Sequence, residues 1–273
     1  MTERIRCAGR TLSVAVIALL PALTSAPASV AAQASPPPPW RALFNGQNLE
    51  GWTPKVRSFP VGEDPLRTFR VEDGLLTVGY DGYDAFEERF GHLFFETPFS
   101  DYDLRVEYRF VGEQVSDGPG WAVRNSGVMI HSQSPESMGL DQDFPISVEV
   151  QLLGGGGDDV RPTANLCTPG THVRMGGQLF EQHCVESTSP TFHGSDWVEV
   201  DIVVRGGGAI AHVVQGDTVL AYAGPEIGGG VVSGFEPSAK VDGRALSSGW
   251  IALQSESHPV QFRRVWIREI AAR

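Results

Sequence analysis

Arg124-Asn-Ser-Gly-Val-Met-Ile-His-Ser-Gln133 and, after a polar stretch, Ser147-Val-Glu-Val-Gln-Leu-Leu153 decide the fold. Both segments alternate as half-buried strands do, because successive strand side chains point to opposite faces of a sheet. In the second, Val148, Val150 and Leu152 form a purely apolar face, and Glu149 and Gln151 form the other. One face therefore reads as core. The other reads as a floor that offers a carboxylate and an amide, and chemistry is expected there.

Working outward, the same alternation recurs along the chain. Tyr102, Leu104, Val106, Tyr108 and Phe110 alternate with Asp103, Arg105, Glu107 and Arg109. Val198, Val200, Ile202 and Val204 alternate with Glu199 and Asp201, and the Gly206-Gly207-Gly208 and Gln215-Gly216-Asp217 turns predict a three-strand meander through Tyr222. Asp73-Gly74 between Phe69–Val71 and Leu75–Val78 is a hairpin signal. Near the end, Trp250, Gln254 and Glu256 share a face opposite Ile251 and Leu253. Tyr80–Phe90 reads as a loop over a sheet edge, residues 160–195 as irregular, and Gly224–Leu246 as loop. No segment has a long helical period. Many short strands between Gly, Pro and Asp turns predict an all-β, two-sheet antiparallel sandwich.

The first 34 residues read as a separate leader. Arg4, Arg6 and Arg10 precede an uncharged apolar run, Thr11–Leu23, and Ala32-Gln33-Ala34 has the small-x-small form of a signal-peptidase site. The run is too short for a membrane span and contains Pro21. Cleavage near Ala34, a Pro-rich lead-in over 35–39 and a single domain over 40–273 are expected, with a periplasmic or secreted location and no membrane anchor once the leader is removed. Roughly 240 residues then remain, within reach of one β domain. The formal charge of the whole chain is -12, and the leader's three Arg and one Glu make the remainder more acidic still. Such a chain is poorly suited to nucleic acid or anionic lipid; neutral ligands such as sugars stay open.

Cys167 and Cys184 are the cysteines outside the leader. In an oxidising compartment they are expected to pair; no second CxxC or nucleophile signature supports a metal or catalytic reading. His172, His183 and His193 match no metal-ligand spacing. The Gly154–Gly157 run lacks the Lys-Ser/Thr pair and helix of a phosphate loop.

Several motifs together resemble one family. Leu43-Phe-Asn-Gly-Gln-Asn-Leu-Glu-Gly-Trp52 is similar to its opening LFNGxxLxGW pattern, and Asn125-Ser-Gly-Val128, Glu149-Val-Gln151, Gly194-Ser-Asp-Trp197 and Leu253-Gln254 through Phe262-Arg263 follow in its order. The chain resembles 3-keto-disaccharide hydrolase domain proteins over nearly all of 40–270. The resemblance implies a concanavalin A-like jelly roll and an exported enzyme acting on oxidised sugars. Arg263-Arg264-Val265 departs from the Arg-Asn-Ile of many relatives.

The implied substrate is a 3-keto glycoside, whose C2–H is acidified by the neighbouring carbonyl. Its cleavage by elimination and hydration requires a base, a group that polarises the keto oxygen and an acid for the leaving group. Glu149 and His131 are the base candidates. Asn125, Gln151 and Gln254 are candidates for sugar hydroxyls, Arg109 or Arg263 for the keto oxygen, Trp250 for stacking, and His258 for a further substrate contact. Direct two-carboxylate hydrolysis would pair Glu149 with Glu107 or Glu256. No cofactor is expected, although a divalent ion held by His131 and Glu149 is a competing reading. Outside enzymes, the alternative is a lectin-like carbohydrate-binding module, because the fold by itself does not decide function.

Overall fold

The structure is a computed structural model that describes residues 1–2 and 38–271. The expected leader and most of the Pro-rich lead-in lie outside the described residues. From Pro37 onward the chain clusters as one compact unit. Among the described residues no helix is long and apolar enough to cross a membrane.

Seventeen strands and two short 3-10 turns, Gly120–Ala122 and Pro135–Ser137, follow one another. The strands are β1 (Arg41–Ala42), β2 (Trp52–Val56), β3 (Phe69–Glu72), β4 (Leu75–Val78), β5 (Gly91–Phe95), β6 (Asp101–Phe110), β7 (Asn125–Ser132) and β8 (Val148–Leu153). They continue as β9 (Asn165–Cys167), β10 (Thr171–Met175), β11 (Gln178–Phe180), β12 (Cys184–Val185), β13 (Val198–Arg205), β14 (Ala209–Val214), β15 (Asp217–Ile227), β16 (Trp250–Ser255) and β17 (Val260–Glu269). Two open antiparallel sheets result. One has ten strands in the order β11-β10-β15-β14-β13-β6-β17-β4-β3, with β1 added beside β17. The other has seven, β12-β9-β8-β7-β16-β5-β2. This is the expected all-β jelly-roll sandwich.

The alternation of the strands builds it. Leu104, Val106 and Tyr108 of β6 are buried with Val148, Val150 and Leu152 of β8, and with Ile251 and Leu253 of β16, in one core between the sheets. At one side the two layers are also tied by hydrogen bonding. The Tyr108 hydroxyl reaches the Leu153 carbonyl at 3.0 Å and Thr163 Oγ1 at 2.6 Å. The Asp73-Gly74 hairpin joins β3 to β4, with both residues at positive φ as a tight turn requires. The predicted meander is β13-β14-β15, with β15 running on to Ile227.

Three stretches differ from expectation. Residues 224–227, read as the start of a loop, are the end of β15, because they pair with β10 across the sheet. Residues 160–195 are not irregular: β9 to β12 lie within them, and β9 and β12 extend the seven-stranded sheet. Their shortness leaves no run in which a period of two can be read. The Tyr80–Phe90 loop does not merely pass over an edge; Tyr80, Tyr83, Phe86 and Phe90 enter the core in edge-on contacts.

Cys167 and Cys184 face each other across β9 and β12 and are joined by a disulfide. The bond holds an edge strand whose hydrogen-bonding partner is β9 alone. Replacing both cysteines by serine is expected to destabilise the protein by about 3 kcal/mol in the chain-entropy model. For a domain of this size that is a fall of roughly 6–12 °C in Tm, and thermal unfolding of the double variant under oxidising conditions measures it.

Candidate active site

The outward face of the seven-stranded sheet carries a polar belt. Glu149 on β8 stands opposite Met129 of β7 and Cys167 of β9, and Gln151 stands opposite Gly127 and Asn165. On the far side of β7, Gln254 of β16 stands opposite His92 of β5, which faces Lys55 of β2. Gly127 sits between the two halves for a steric reason. A Cβ there would lie 2.6 Å from Glu149 Oε1 and 2.9 Å from Gln254 Oε1.

A cavity of 390 Å³ opens on this face, within the usual size range of small-ligand sites. Glu149 and Glu256 both line it, together with the side chains of Asn125 and Gln151. The cysteine pair and His183 form one wall, and Trp121 and Phe144 another. Phe90 lies 4.8 Å from Phe144 and stacks on Trp121 at 6.1 Å, so aromatic rings from three loops hang over the belt. Trp121 is 55% exposed and shows its ring to solvent at this site.

Electrostatically the site is unusual. Glu149 and Glu256 are buried, and among the described residues neither forms an ion pair. Burial raises Glu149 to about 8. Burial raises Glu256 as well, the Glu149 charge adds to this, and Arg161 only partly opposes it. Two carboxyls in one dry site cannot both ionise easily, so the pair retains a proton at neutral pH. Several polar atoms nearby have no hydrogen-bond partner among the described residues: Asn125 Oδ1, both ends of the Gln254 amide, Glu256 Oε2 and both His92 ring nitrogens. Buried polar groups are rarely left so. Each unsatisfied group costs about 1–3 kcal/mol. A hydroxyl-rich ligand supplies the complementary donors and acceptors.

The remaining sequence candidates fall elsewhere. Glu107, Arg109 and Arg263 do not share the Glu149 floor. They lie on β6 and β17 of the ten-stranded sheet and point away from the core, on the opposite side of the sandwich. Arg263 grips Glu107 through two hydrogen bonds of 2.7 and 2.9 Å, and these lower the Glu107 carboxyl despite its burial. Arg109 donates to Gln261, and the guanidiniums of Arg109 and Arg263 each lie 4.6 Å from the Trp197 ring. Alternation tells which residues share a face of a strand. It does not tell to which sheet the strand belongs.

His131 is displaced by a β-bulge. Ser132 pairs with Trp250 and Met129 with Ala252, so two residues of β7 oppose one of β16, and His131 takes φ 48°. Its Nε2–H donates to the Gly206 carbonyl at 3.0 Å. With Trp250 it lines a different cavity, so His131 and Glu149 do not converge as base partners or as ligands of one ion. Trp250 shares the face of Gln254 but packs on an apolar cluster of Phe94, Met129, Met138 and Ala252. Trp121 is the aromatic ring at the carboxylates. His258 is buried edge-on against Phe110 and lowered to about 4, by burial and then by Arg124 and Arg161. Among the described residues the one cluster with metal-ligand proximity is Cys167, His183 and Cys184, and its sulfurs are joined in the disulfide.

Sequence reading missed Lys55, His92, Trp121 and Phe144. Lys55 is buried, donates to the Leu140 carbonyl at 2.9 Å and is lowered to about 8 by burial. His92 is lowered to about 3, by burial and then by the Lys55 charge. A lone Lys or His inside an apolar strand was the available signal. The two aromatic residues lie in loops, where no periodicity marks them.

The acid pair makes stability depend on pH. Unfolded carboxyls ionise near their ordinary 4.5, whereas in the folded protein Glu149 is raised to about 8 and Glu256 is raised as well. Between these values the folded state binds more protons, so stability falls as pH rises. Glu256→Gln removes one ionisable member, and the decline in Tm across this window is expected to flatten, with a higher Tm than wild type at the alkaline end. Gly127→Ala is expected to push Glu149 aside and to lower Tm at every pH. Calorimetric scans of the three proteins against pH separate the two effects.

A family model described as a 3-keto-alpha-glucoside-1,2-lyase-like domain matches residues 39–268. No curated protein matches the chain. Two solved structures from Parabacteroides distasonis, both provisionally named glycosyl hydrolases, align with 16% and 18% identity and TM-scores of 0.49 and 0.48. Each alignment covers 85% of this chain, and 100% and 94% of the respective structures. A Bacillus licheniformis beta-glucanase aligns at 8% identity and a TM-score of 0.47, over 87% of this chain and 100% of its own. These likenesses are too distant to carry anything about the site. The family match is of another kind: it runs from before β1 to within β17, across both sheets and both carboxylates, and the chain belongs to the 3-keto-alpha-glucoside-1,2-lyase-like domain family.

Proposed function

We propose that this protein is an exported enzyme that cleaves the glycosidic bond of 3-keto glycosides by elimination and hydration, with Glu149 and Glu256 as its proton-transfer pair. The observation that carries the reading is the pair itself. Two buried carboxyls that form no ion pair among the described residues, facing one cavity, are a cost to stability that a lectin-like module has no use for. A proton-transfer enzyme uses one ionised and one protonated member.

The steps follow from the charges. Ionised Glu149 takes the C2 proton, and the electron pair left on C2 delocalises onto the C3 keto oxygen. As C1–O breaks, protonated Glu256 gives its proton to the departing oxygen. The product is an unsaturated keto sugar, with Glu149 now protonated and Glu256 ionised. Water then adds in reverse: Glu256 takes a proton as the hydroxyl joins C1, and Glu149 returns one to C2. Both residues end as they began. The amides of Asn125 and Gln151, in the same cavity, are assigned to the sugar oxygens, and Trp121 to the ring face. Export agrees with the Cys167–Cys184 disulfide.

Incubation with 3-keto glucosides and with their unoxidised counterparts, each with and without chelator, tests this directly. Release of the leaving group from the keto forms alone is expected, with an unsaturated intermediate. Equal activity on unoxidised sugars would replace elimination by direct hydrolysis, and loss of activity to chelator would add a cation to the site. Glu149→Gln is expected to lower kcat by at least about 100-fold while the substrate still binds. Saturable sugar binding without turnover by the wild-type protein would make it a carbohydrate-binding module. A bell-shaped dependence of kcat/KM on pH is expected, and Glu256→Gln should remove its alkaline limb.

A further inference from the structure

We infer that Cys167, His183 and Cys184 form a binding site for a zinc-class cation when their disulfide is reduced, so that disulfide and metal exclude each other at one wall of the cavity. The three side chains offer ligand atoms that all lie within 4.8 Å of one another. A tetrahedral zinc site with Zn–S of about 2.3 Å needs its two sulfurs roughly 3.8 Å apart, farther than in the disulfide, so reduction must let them separate. Two thiolates and an imidazole are the donor set that zinc prefers, with the fourth position left to water or a further ligand.

His183 carries the independent observation. Its Nδ1 is buried and, among the described residues, has no hydrogen-bond partner. Its backbone carbonyl is held by Thr168, through the amide at 2.9 Å and the hydroxyl at 3.1 Å, so the residue is anchored beside the sulfurs. The cysteines sit on facing positions of β9 and β12. Because β12 is two residues long at the sheet edge, the sulfurs can separate without rebuilding the core. All three residues line the cavity of Glu149, which faces Cys167 across β8 and β9, so the fourth position opens toward that carboxylate.

Thiol–disulfide exchange with an external dithiol opens the site. The dithiol loses two electrons and two protons and closes to its own disulfide; Cys167 and Cys184 gain them and become thiols. Zinc then replaces the two thiol protons, which are released to solvent. Oxidation of the pair reverses the sequence and expels the cation. No part of this depends on the proposed glycoside chemistry.

The test uses the whole chain in a Cys7→Ser background, so that the pair supplies every thiol. Oxidised protein, and protein reduced anaerobically and freed of dithiol by gel filtration, are titrated with zinc by equilibrium dialysis and with cobalt by absorption spectroscopy. One zinc per reduced chain is expected, bound at least about 100-fold more tightly than by the oxidised chain. Tetrahedral cobalt bands with thiolate charge transfer should accompany it, and reoxidation should release the metal. His183→Ala, which leaves the disulfide intact, is expected to weaken binding by roughly 10–100-fold. The inference is overturned if reduced and oxidised chains bind zinc alike, if His183→Ala changes nothing, or if the cobalt complex lacks thiolate bands.

Discussion

The hydrophobic core between the two sheets is the constraint from which the site follows. Val148, Val150 and Leu152 must face inward to meet Val106 and Tyr108, and a one-residue slip of β8 would turn them to the outside. That requirement turns Glu149 and Gln151 outward onto the second face of the same strand. The same packing of Ile251 and Leu253 turns Gln254 outward on β16. The polar belt is thus the obligatory reverse side of the core. Aromatic rings from the loops then cover that reverse side and dry it.

Charge is handled in opposite ways on the two sides of the sandwich. On the ten-stranded sheet, Glu107 is clasped by Arg263 and approached by Arg264, and Asp103 by Arg205 and Arg268. Half-exposed arginines complete each group, so this side is a cross-strand ion-pair ladder of the kind that stabilises a sheet. On the seven-stranded sheet, Glu149 and Glu256 are buried without ion pairs, and desolvation raises both. Carboxylates of the same type are therefore held ionised by arginines on one side and pushed toward the protonated form by desolvation on the other. Burial makes the difference, together with the lack, among the described residues, of a guanidinium in direct contact with either carboxyl.

One wall of the cavity is held covalently. β9 and β12 extend the Glu149 sheet and carry the disulfide, and His183 lies beside it with one ring nitrogen unpartnered. Stability and the shape of the cavity consequently meet in one covalent bond. The bond holds a strand too short to hold itself.

Much of this was legible in the residues. Alternation in Tyr102–Phe110, Ser147–Leu153, Trp197–Val204 and Trp250–Glu256 dictated strands and their apolar faces, and the turn residues between them dictated antiparallel sheets. Glu149, Glu256 and Gln151 were marked by the same period, Asn125 by the family resemblance, and the two cysteines by their number. The period of two is a local property, set by backbone geometry within each strand. Which sheet a strand joins is set by pairing between distant segments, and so Glu107, Arg109 and Arg263 parted from Glu149 only in the folded chain. The bulge that carries His131 away, and the loops that bring Trp121 and Phe144 over the carboxylates, likewise depend on contacts far apart in sequence. Strand and face were decided by the sequence itself; neighbourhood, and with it the ionisation of Glu149 and Glu256, was decided by tertiary packing, because desolvation belongs to the surroundings of a residue and not to the residue.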